Sequence, residues 1–391
     1  MSNIIFLGLV SFFTDLSTEM VYPLIPLYLT SAFGASPALV GVIEGVAESL
    51  ASLLKVYGGY ASDRFQRKKA LAFSGYAGSL FYKLALLAAG SWWGVLFARV
   101  VDRFGKGVRT APRDVLVSES AEKDAMGKAF GLHKALDMAG AAAGILITYF
   151  LLRGGVSDYK KMFLISGIPA ILGLCMFFFI KEKRAEHQQN ARPRLLKSLP
   201  RLDGQLKLYL VVVLLFTLGN SSNAFLLLKA KALGFDDISV ILLYFAYNLV
   251  ASILSLPLGR LSDKAGRKAL LVSGYLVFSV VYFGFGFAWN RPFMAAMFVL
   301  YGAYTAMIAG VERAFVAEIA PPELKGTMLG LQSTVAGVAL LPASVIFGLL
   351  WDGFGPAVPF VFGGTLSIAA AAILLVFMRP KQSGMHPPSA A

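Results

Sequence analysis

One otherwise apolar stretch of the chain carries five ionisable side chains at helical spacing: Arg99, Asp102, Arg103, Lys106 and Arg109. Spacings of three and four residues place Asp102, Lys106 and Arg109 on one face of a helix, and Arg99 and Arg103 on an adjoining face. An isolated charge near the centre of a bilayer costs about 2.5–3.5 kcal/mol on insertion scales, so these groups cannot face lipid. We therefore predict that this helix lines an aqueous path. There Arg103, Lys106 and Asp102 would contact a small charged solute, because guanidinium groups suit capture of carboxylate or phosphate.

Residues four positions apart in neighbouring apolar stretches supply acidic counter-groups for these cations. The pairs are Asp15 with Glu19, Glu44 with Glu48, and His133 with Asp137. An adjacent arginine favours the charged form of a carboxylate, whereas dehydration disfavours it, so relative movement of the two changes the proton affinity of the acid. The pattern therefore predicts proton exchange. A static set of buried ion pairs that orders the helices is the alternative.

The predicted proton-coupling residues are Glu19, Asp15, Asp137 and Arg99. Glu19 ranks first because Pro23 and Pro26 follow it. Prolines at these positions can free backbone groups and bend a helix around a cavity.

A second set of polar residues lies in the later part of the chain. Asn220 and Asn223 interrupt an apolar stretch, and with Glu48 they complete the predicted solute contacts. Long cationic side chains near helix ends can reach outward to a membrane surface, and we expect this of Lys83, Lys229 and Lys231. Cys175, the only cysteine, excludes an intramolecular disulfide and is expected to pack among apolar neighbours.

The composition requires a membrane-embedded fold. The chain has 391 residues, of which 57% are hydrophobic and 15% charged, and its mean hydropathy is +0.69. Too little polar surface is available for a soluble globule. We predict an all-α polytopic protein whose twelve transmembrane helices lie near residues 4–32, 37–60, 70–90, 92–118, 127–152, 160–181, 207–232, 238–261, 269–288, 293–319, 326–351 and 357–378.

Basic residues indicate how these helices are oriented. The formal charge is +14, but the basic residues lie mostly between apolar stretches on one predicted side and do not form the folded basic face that nucleic-acid binding requires. The positive-inside rule then places both termini on the cytoplasmic side of a plasma membrane, such as a bacterial inner membrane. Residues 1–181 and 207–378 form two bundles, residues 182–206 a cytoplasmic linker, and residues 379–391 a disordered tail.

A charged hairpin occurs twice, about two hundred residues apart. Residues 58–69 read GGYASDRFQRKK and residues 258–268 read LGRLSDKAGRK. In each half, an acidic residue also lies at the end of the fourth predicted helix. The residues at equivalent positions are Gly59 with Gly259, Asp63 with Asp263, Arg67 with Arg267, and Glu119 with Glu318. The chain is therefore a duplication, which indicates two related bundles with a path at their interface.

These hairpins resemble motif A of the major facilitator superfamily, and the match extends over essentially the whole chain. Residues 99–105 are similar to motif B of that family, with Arg99 at its arginine, and residues 140–144 to the start of its motif C, with Ile145 in place of proline. The resemblance implies two six-helix bundles that alternate in access. It also implies a role for Arg99 in proton coupling. The similarity to motif C favours export.

A gating role for the repeated residues fits their chemistry. The glycines permit close helix approach, the aspartates suit a helix N-terminus, and Arg67 and Arg267 can pair with Glu119 and Glu318. For Lys68, Lys69 and Lys268 a role as anchors on the positive side is the expectation.

The function predicted from the sequence is secondary active transport of a small organic solute, by proton-coupled efflux of an organic anion or amphipathic compound. The proton gradient would be the energy source and no cofactor is expected, because the sequence lacks a phosphate-binding loop. The expected partners are the solute and the lipid bilayer, with the monomer as the working unit and no nucleic acid. Proton-coupled uptake is the alternative, and a membrane-embedded lipid-handling enzyme or a sensor is the alternative of another class.

Overall fold

The computed structural model describes residues 2–65, 68–120, 126–182, 204–308, 311–320 and 325–378. Within them the chain folds into α-helices that make twelve crossing segments, here called spans 1 to 12, and it contains no β-strand. The helices are Ser2–Glu19 and Leu24–Phe33 (span 1), Pro37–Phe65 (2), Lys68–Ala88 (3), Trp92–Ser120 (4), Met126–Arg153 (5), Tyr159–Met176 (6), Gly204–Gly219 and Ala224–Ala232 (7), Asp237–Ala265 (8), Arg267–Gly286 (9), Arg291–Ile308 and Val311–Ile319 (10), Lys325–Phe354 (11) and Val358–Phe377 (12).

The all-α polytopic fold predicted from the sequence is confirmed. Eleven of the described segments are long and apolar enough to cross a membrane. Span 4 is the exception because of its charged residues, but it is a continuous helix packed between spans 2 and 3. The predicted linker and tail lie, apart from a few residues, outside the part of the chain that the structure describes.

Spans 1 and 7 are both interrupted near mid-length. The first helix of span 1 ends at Glu19 and the second begins at Leu24, as expected from the prolines that follow Glu19. In span 7 the break covers residues 220–223. Backbone groups freed inside a membrane need other partners, and the Thr148 hydroxyl donates to the Met20 carbonyl at 2.9 Å. The two breaks occupy equivalent positions in the two halves.

The connections alternate between two ends of the bundle. We call the end with the connection at residues 34–36 the Gly34 end, and the end with the connection between spans 2 and 3 the Lys68 end. Spans 2 and 11 pack closely, with Gly41 against the Ser344 carbonyl and Gly45 against the Leu341 backbone. At the Gly34 end Asp352 accepts a hydrogen bond from the Ala38 amide at 3.2 Å. These contacts join the two halves.

Small residues also set the packing inside the first half. Gly140 and Gly144 of span 5 lie against the backbone of Phe12 and Leu16 of span 1, with no room for a side chain. The small size of these two glycines is what allows the two helices to approach so closely.

Candidate functional site: a charged network between the halves

Arg99 is the most deeply buried charged side chain of span 4. It has no exposed surface, and its Nη2 donates to Glu44 Oε2 of span 2 at 2.6 Å. Glu44 is 2% exposed. The fixed positions of these groups follow from the crossing of spans 2 and 4, where Gly107 lies against the Leu54 side chain. Because both groups are dehydrated, each depends on the other for its charge.

Arg103 makes the second ion pair, one helical turn along. Its Nη2 lies 2.9 Å from Glu48 Oε1, and the Glu48 side chain is 31% exposed. Asp102 lies between the two arginines, at 3.8 Å from Arg99 and 3.7 Å from Arg103. Two acids four residues apart on span 2 therefore face two arginines four residues apart on span 4. One pair is sealed and the other is open to water.

The remaining cations of span 4 differ in their surroundings. Arg109 is buried and stacks over the Tyr76 ring at 4.5 Å. Lys106 is partly exposed and forms no ion pair with any described side chain. The expectation of a broad face open to water is therefore wrong for Arg99, Asp102, Arg103 and Arg109, which are buried in this conformation, whereas Lys106 meets it.

Glu19 lies at the break in span 1 and reaches the other half of the molecule. The Tyr244 hydroxyl of span 8 donates to Glu19 Oε2 at 3.0 Å. Tyr22, in the same break, lies beneath the guanidinium groups of Arg99 at 5.3 Å and Arg103 at 5.7 Å. It also packs on the Tyr244 ring at 5.9 Å. Sequence reasoning missed Tyr22, although its position three residues after Glu19 was the available signal.

Asp15 and Asp137 form a separate acidic site between spans 1 and 5. Their carboxyl groups are in hydrogen-bonding contact, and Lys134 donates to Asp137 at 2.7 Å. His133 is buried, and its Nε2 lies 3.0 Å from the Ser11 hydroxyl. The structure therefore brings two of the predicted proton-coupling residues together, at a place apart from the ion pairs of Arg99.

Asn220 and Asn223 lie in the break of span 7, where tyrosines surround them. Asn220 Nδ2 donates to the Tyr304 hydroxyl at 3.1 Å. Asn223 Nδ2 donates to Tyr247 at 3.0 Å and its Oδ1 accepts from Tyr301 at 2.7 Å. These tyrosines are buried. The tyrosine rings continue from Tyr244 to Tyr304, with neighbouring centroids 5.1–5.4 Å apart.

The predicted gate is described in part. Arg267 Nη1 pairs with Glu318 at 3.1 Å, as expected. Arg67 lies outside the described residues. The surroundings of Gly59 and the side chains of Asp63 and Asp263 also lie outside them. In the first half Lys68, expected to be only an anchor, is buried and pairs with Glu119. A methyl group at Gly259 would meet no described atom within 4 Å, so the close helix approach expected there is not made in this conformation.

Three of four other side chains are placed differently from the predictions. Lys83 is buried and donates to the Ser79 hydroxyl at 2.8 Å. Lys229 is buried and donates to the Gly286 carbonyl at 3.3 Å. Both positions face neighbouring spans, so neither side chain reaches outward, whereas Lys231 does so in part and pairs with Asp237 at 2.5 Å. Cys175 is exposed instead of packed inside.

Comparison with known proteins decides the family. A model of the Major Facilitator Superfamily matches residues 7–228 and again residues 208–391. The chain belongs to the major facilitator superfamily. An uncharacterised MFS-type transporter of Methanocaldococcus jannaschii is 35% identical over 380 residues, which are 95% of this chain and 94% of that protein. The family and the fold identify a membrane transporter and favour a protein that is not an enzyme.

More distant relatives and solved structures agree with this family. The multi-drug resistance efflux pump PmrA homolog of Lactococcus lactis is 32% identical over 157 residues, 39% of this chain and 38% of that protein. The crystal structure of the nucleoside transporter NupG has a TM-score of 0.82 at 11% identity and covers 97% of this chain and 100% of its own. At that identity the structural likeness shows the fold alone.

Proposed function

We propose that this transporter is a proton-coupled antiporter that exports a small organic anion or amphipathic compound. The observation that carries the proposal is the hydrogen bond from Tyr244 to Glu19, which joins the halves at the break in span 1. If the halves rock apart, the Glu19 carboxylate loses its donor, and its affinity for a proton changes with the conformation. A ligand shifts such an equilibrium only through its different affinity for the two states, and this contact supplies that difference for a proton.

Asp15 and Asp137 offer a second location for the coupled proton. Two carboxyl groups in contact are most stable when they share one proton. Lys134 and the span 4 cations act on the pair electrostatically, so movement of span 4 or span 5 alters its charge balance. The structure supports a role for both acidic sites without ranking them.

Lys106 supports an anionic or amphipathic solute. It is a partly exposed cation of span 4 and lacks an acidic partner among the described side chains, and Arg109 Nη1 is buried without a hydrogen-bond acceptor in the described part of the chain. Both groups are available to a carboxylate or phosphate. The tyrosines around Asn220 and Asn223 present rings and amides to the apolar part of such a solute.

Two observations support export as the direction. The close packing of Gly140 and Gly144 matches the family motif associated with exporters, and one relative carries the name of an efflux pump.

The basic residues at the Lys68 end support its placement in the cytoplasm. In that orientation the described polar contacts between the halves lie at the Gly34 end and at mid-depth, which corresponds to closure on the outer side.

Purified protein in liposomes with an imposed pH gradient tests the proposal. Aryl carboxylates, phosphate esters and lipophilic cations would be added in turn, and proton movement would be followed with an internal pH dye. We expect coupled movement with an anion and its loss in Glu19→Gln, but not in Asp158→Asn, which removes a charge while keeping the cap of span 6.

Three outcomes would contradict parts of the proposal. Proton coupling is wrong if glutamine or asparagine at Glu19, Asp15 and Asp137 each leaves gradient-driven movement intact. The anion assignment is wrong if a cationic dye moves equally with and without Arg103→Ala and no anion competes. Solute accumulation together with protons, in vesicles of defined orientation, would show uptake instead of export.

A further inference from the structure

From span 3 to the end of span 4, the first half is equivalent to the second half at an offset of 199 residues, one less than the offset of the charged hairpins. Gly75 packs against Arg109 and Gly274 against Ile308, while Glu119 and Glu318 pair with basic residues at the start of spans 3 and 9. Subtraction gives 199 for 274 minus 75, for 308 minus 109 and for 318 minus 119. The same offset relates Arg113 to residue 312, which is a glutamate.

The hydrogen-bond donor to Glu312 is a neutral group. The Tyr275 hydroxyl of span 9 donates to Glu312 Oε1 at 3.2 Å. Tyr209 of span 7 and Tyr304 of span 10 lie within electrostatic range of the carboxyl group, and the buried Tyr209 hydroxyl makes no hydrogen bond to a described group. The adjacent Arg313 is exposed and acts on Glu312 electrostatically, without a described ion pair between them.

We propose that Glu312, with Tyr275, forms a proton-binding site in the C-terminal half. As a carboxylate, Glu312 has one neutral donor and no cation within ion-pair distance among the described residues, which is costly for a charge inside a bundle. Binding of one proton removes that charge and gives the carboxyl group a donor hydrogen of its own.

This site goes beyond the proposed function, which places proton coupling at acids of the first half. Glu312 is itself partly exposed, so a proton has access to it. The equivalent position in the first half holds Arg113, which pairs with Asp114 at 2.8 Å. The duplicated halves thus differ in the sign of the charge at this position, which is a paired arginine in the first half and a carboxyl group in the second.

An apolar carbodiimide, dicyclohexylcarbodiimide, tests the site without any transported solute, because it reacts with protonated carboxyl groups in apolar surroundings. Full-length protein in lipid nanodiscs would be labelled over a range of pH, and the peptide that contains residue 312 would be quantified by mass spectrometry. We expect an adduct on Glu312 that increases as the pH falls, and no adduct on this peptide in Glu312→Gln. Because the readout is labelling, its failure is distinguishable from failure of the proposed transport function.

Two conservative variants separate a proton site from a merely reactive residue. Tyr275→Phe removes the donor to the charged form and should move the labelling midpoint to higher pH. Tyr209→Phe removes a nearby hydroxyl that makes no hydrogen bond to a described group, so it should leave the midpoint unchanged. The shift in Tyr275→Phe should be about one pH unit, since a hydrogen bond of about 1.4 kcal/mol is tenfold in an equilibrium.

Absence of the adduct at every pH, labelling that does not depend on pH, or a midpoint unmoved in Tyr275→Phe would overturn the proposal. Protection by sodium at constant pH would assign the site to a metal cation and would also overturn it.

Discussion

The two ion pairs between spans 2 and 4 should differ sharply in what they contribute to stability. Glu44→Gln leaves the Arg99 guanidinium charged in a site with no exposed surface, since its partner at 2.6 Å is lost. Removing one member of a buried ion pair costs about 3–5 kcal/mol. Glu48→Gln, one turn along the same helix, removes a partner that is 31% exposed. Arg103 itself is 3% exposed, but Asp102 still faces it at 3.7 Å and water reaches the position of Glu48, so the cost should be smaller, about 1 kcal/mol.

Equilibrium unfolding in mixed micelles, followed by circular dichroism, measures this difference of about 3 kcal/mol between two chemically identical substitutions. The double variant Glu44→Leu with Arg99→Met removes both buried charges and should recover more than half of the loss, because replacing a buried pair by apolar groups is often nearly neutral. Equal destabilisation by Glu44→Gln and Glu48→Gln would refute the reasoning. It would mean that Arg99 is hydrated in the protein, or that Glu48 is sealed.

Three further predictions concern other contacts. Gly41→Ala puts a methyl group 2.9 Å from the Phe225 ring and against the facing span, so solute counterflow should slow several-fold, whereas Gly167→Ala, with no atom within 4 Å, should leave it unchanged. Tyr244→Phe should shift the pH dependence of transport and lower the free energy of unfolding by only about 1 kcal/mol, because one hydrogen bond to the other half is lost. Asp236→Ala should cost about 1 kcal/mol of stability through loss of the cap of span 8, measured by unfolding at pH 7.

The pH dependence of the Asp236 cap has a definite sign. The Ser239 side chain and amide hold the pKa of the Asp236 carboxyl below its ordinary value. Its stabilising effect is therefore present above the pKa of the unfolded chain and is lost as the pH falls through the lowered pKa. Asp236→Asn should keep much of the cap and abolish this dependence.

The order and number of the spans could be predicted from the sequence, because hydropathy and the internal duplication are evident over long segments. The sequence also predicted that span 4 needs acidic partners, since five ionisable groups inside a bundle cannot remain unpaired. It did not determine which acid meets which cation. That choice depends on the rotation of spans 2 and 4 about their axes, and a rotation of one residue moves a side chain by about 100° around the helix.

Burial of the lysines was the other error, and it has a local cause. Lys83 and Lys229 each found an oxygen on a facing span or one turn away on their own helix. A membrane surface was therefore not the closest source of hydrogen-bond acceptors. Hydropathy describes how polar a residue is but not which oxygens its neighbours expose, so the direction of these side chains required the packed structure.

The breaks in spans 1 and 7 explain why the halves have different chemistry at the same depth. Each break frees backbone groups at mid-length, and the residues beside it face the partner half instead of lipid. In span 1 the break carries Glu19 beside the arginines of span 4, while in span 7 it carries Asn220 and Asn223 among tyrosines. The charged groups of the first half and the neutral hydrogen-bonding groups of the second half thus lie at the same interface. Because Tyr244 links them through Glu19, a solute that enters between the halves must compete with that bond, and a proton that binds Glu19 weakens it.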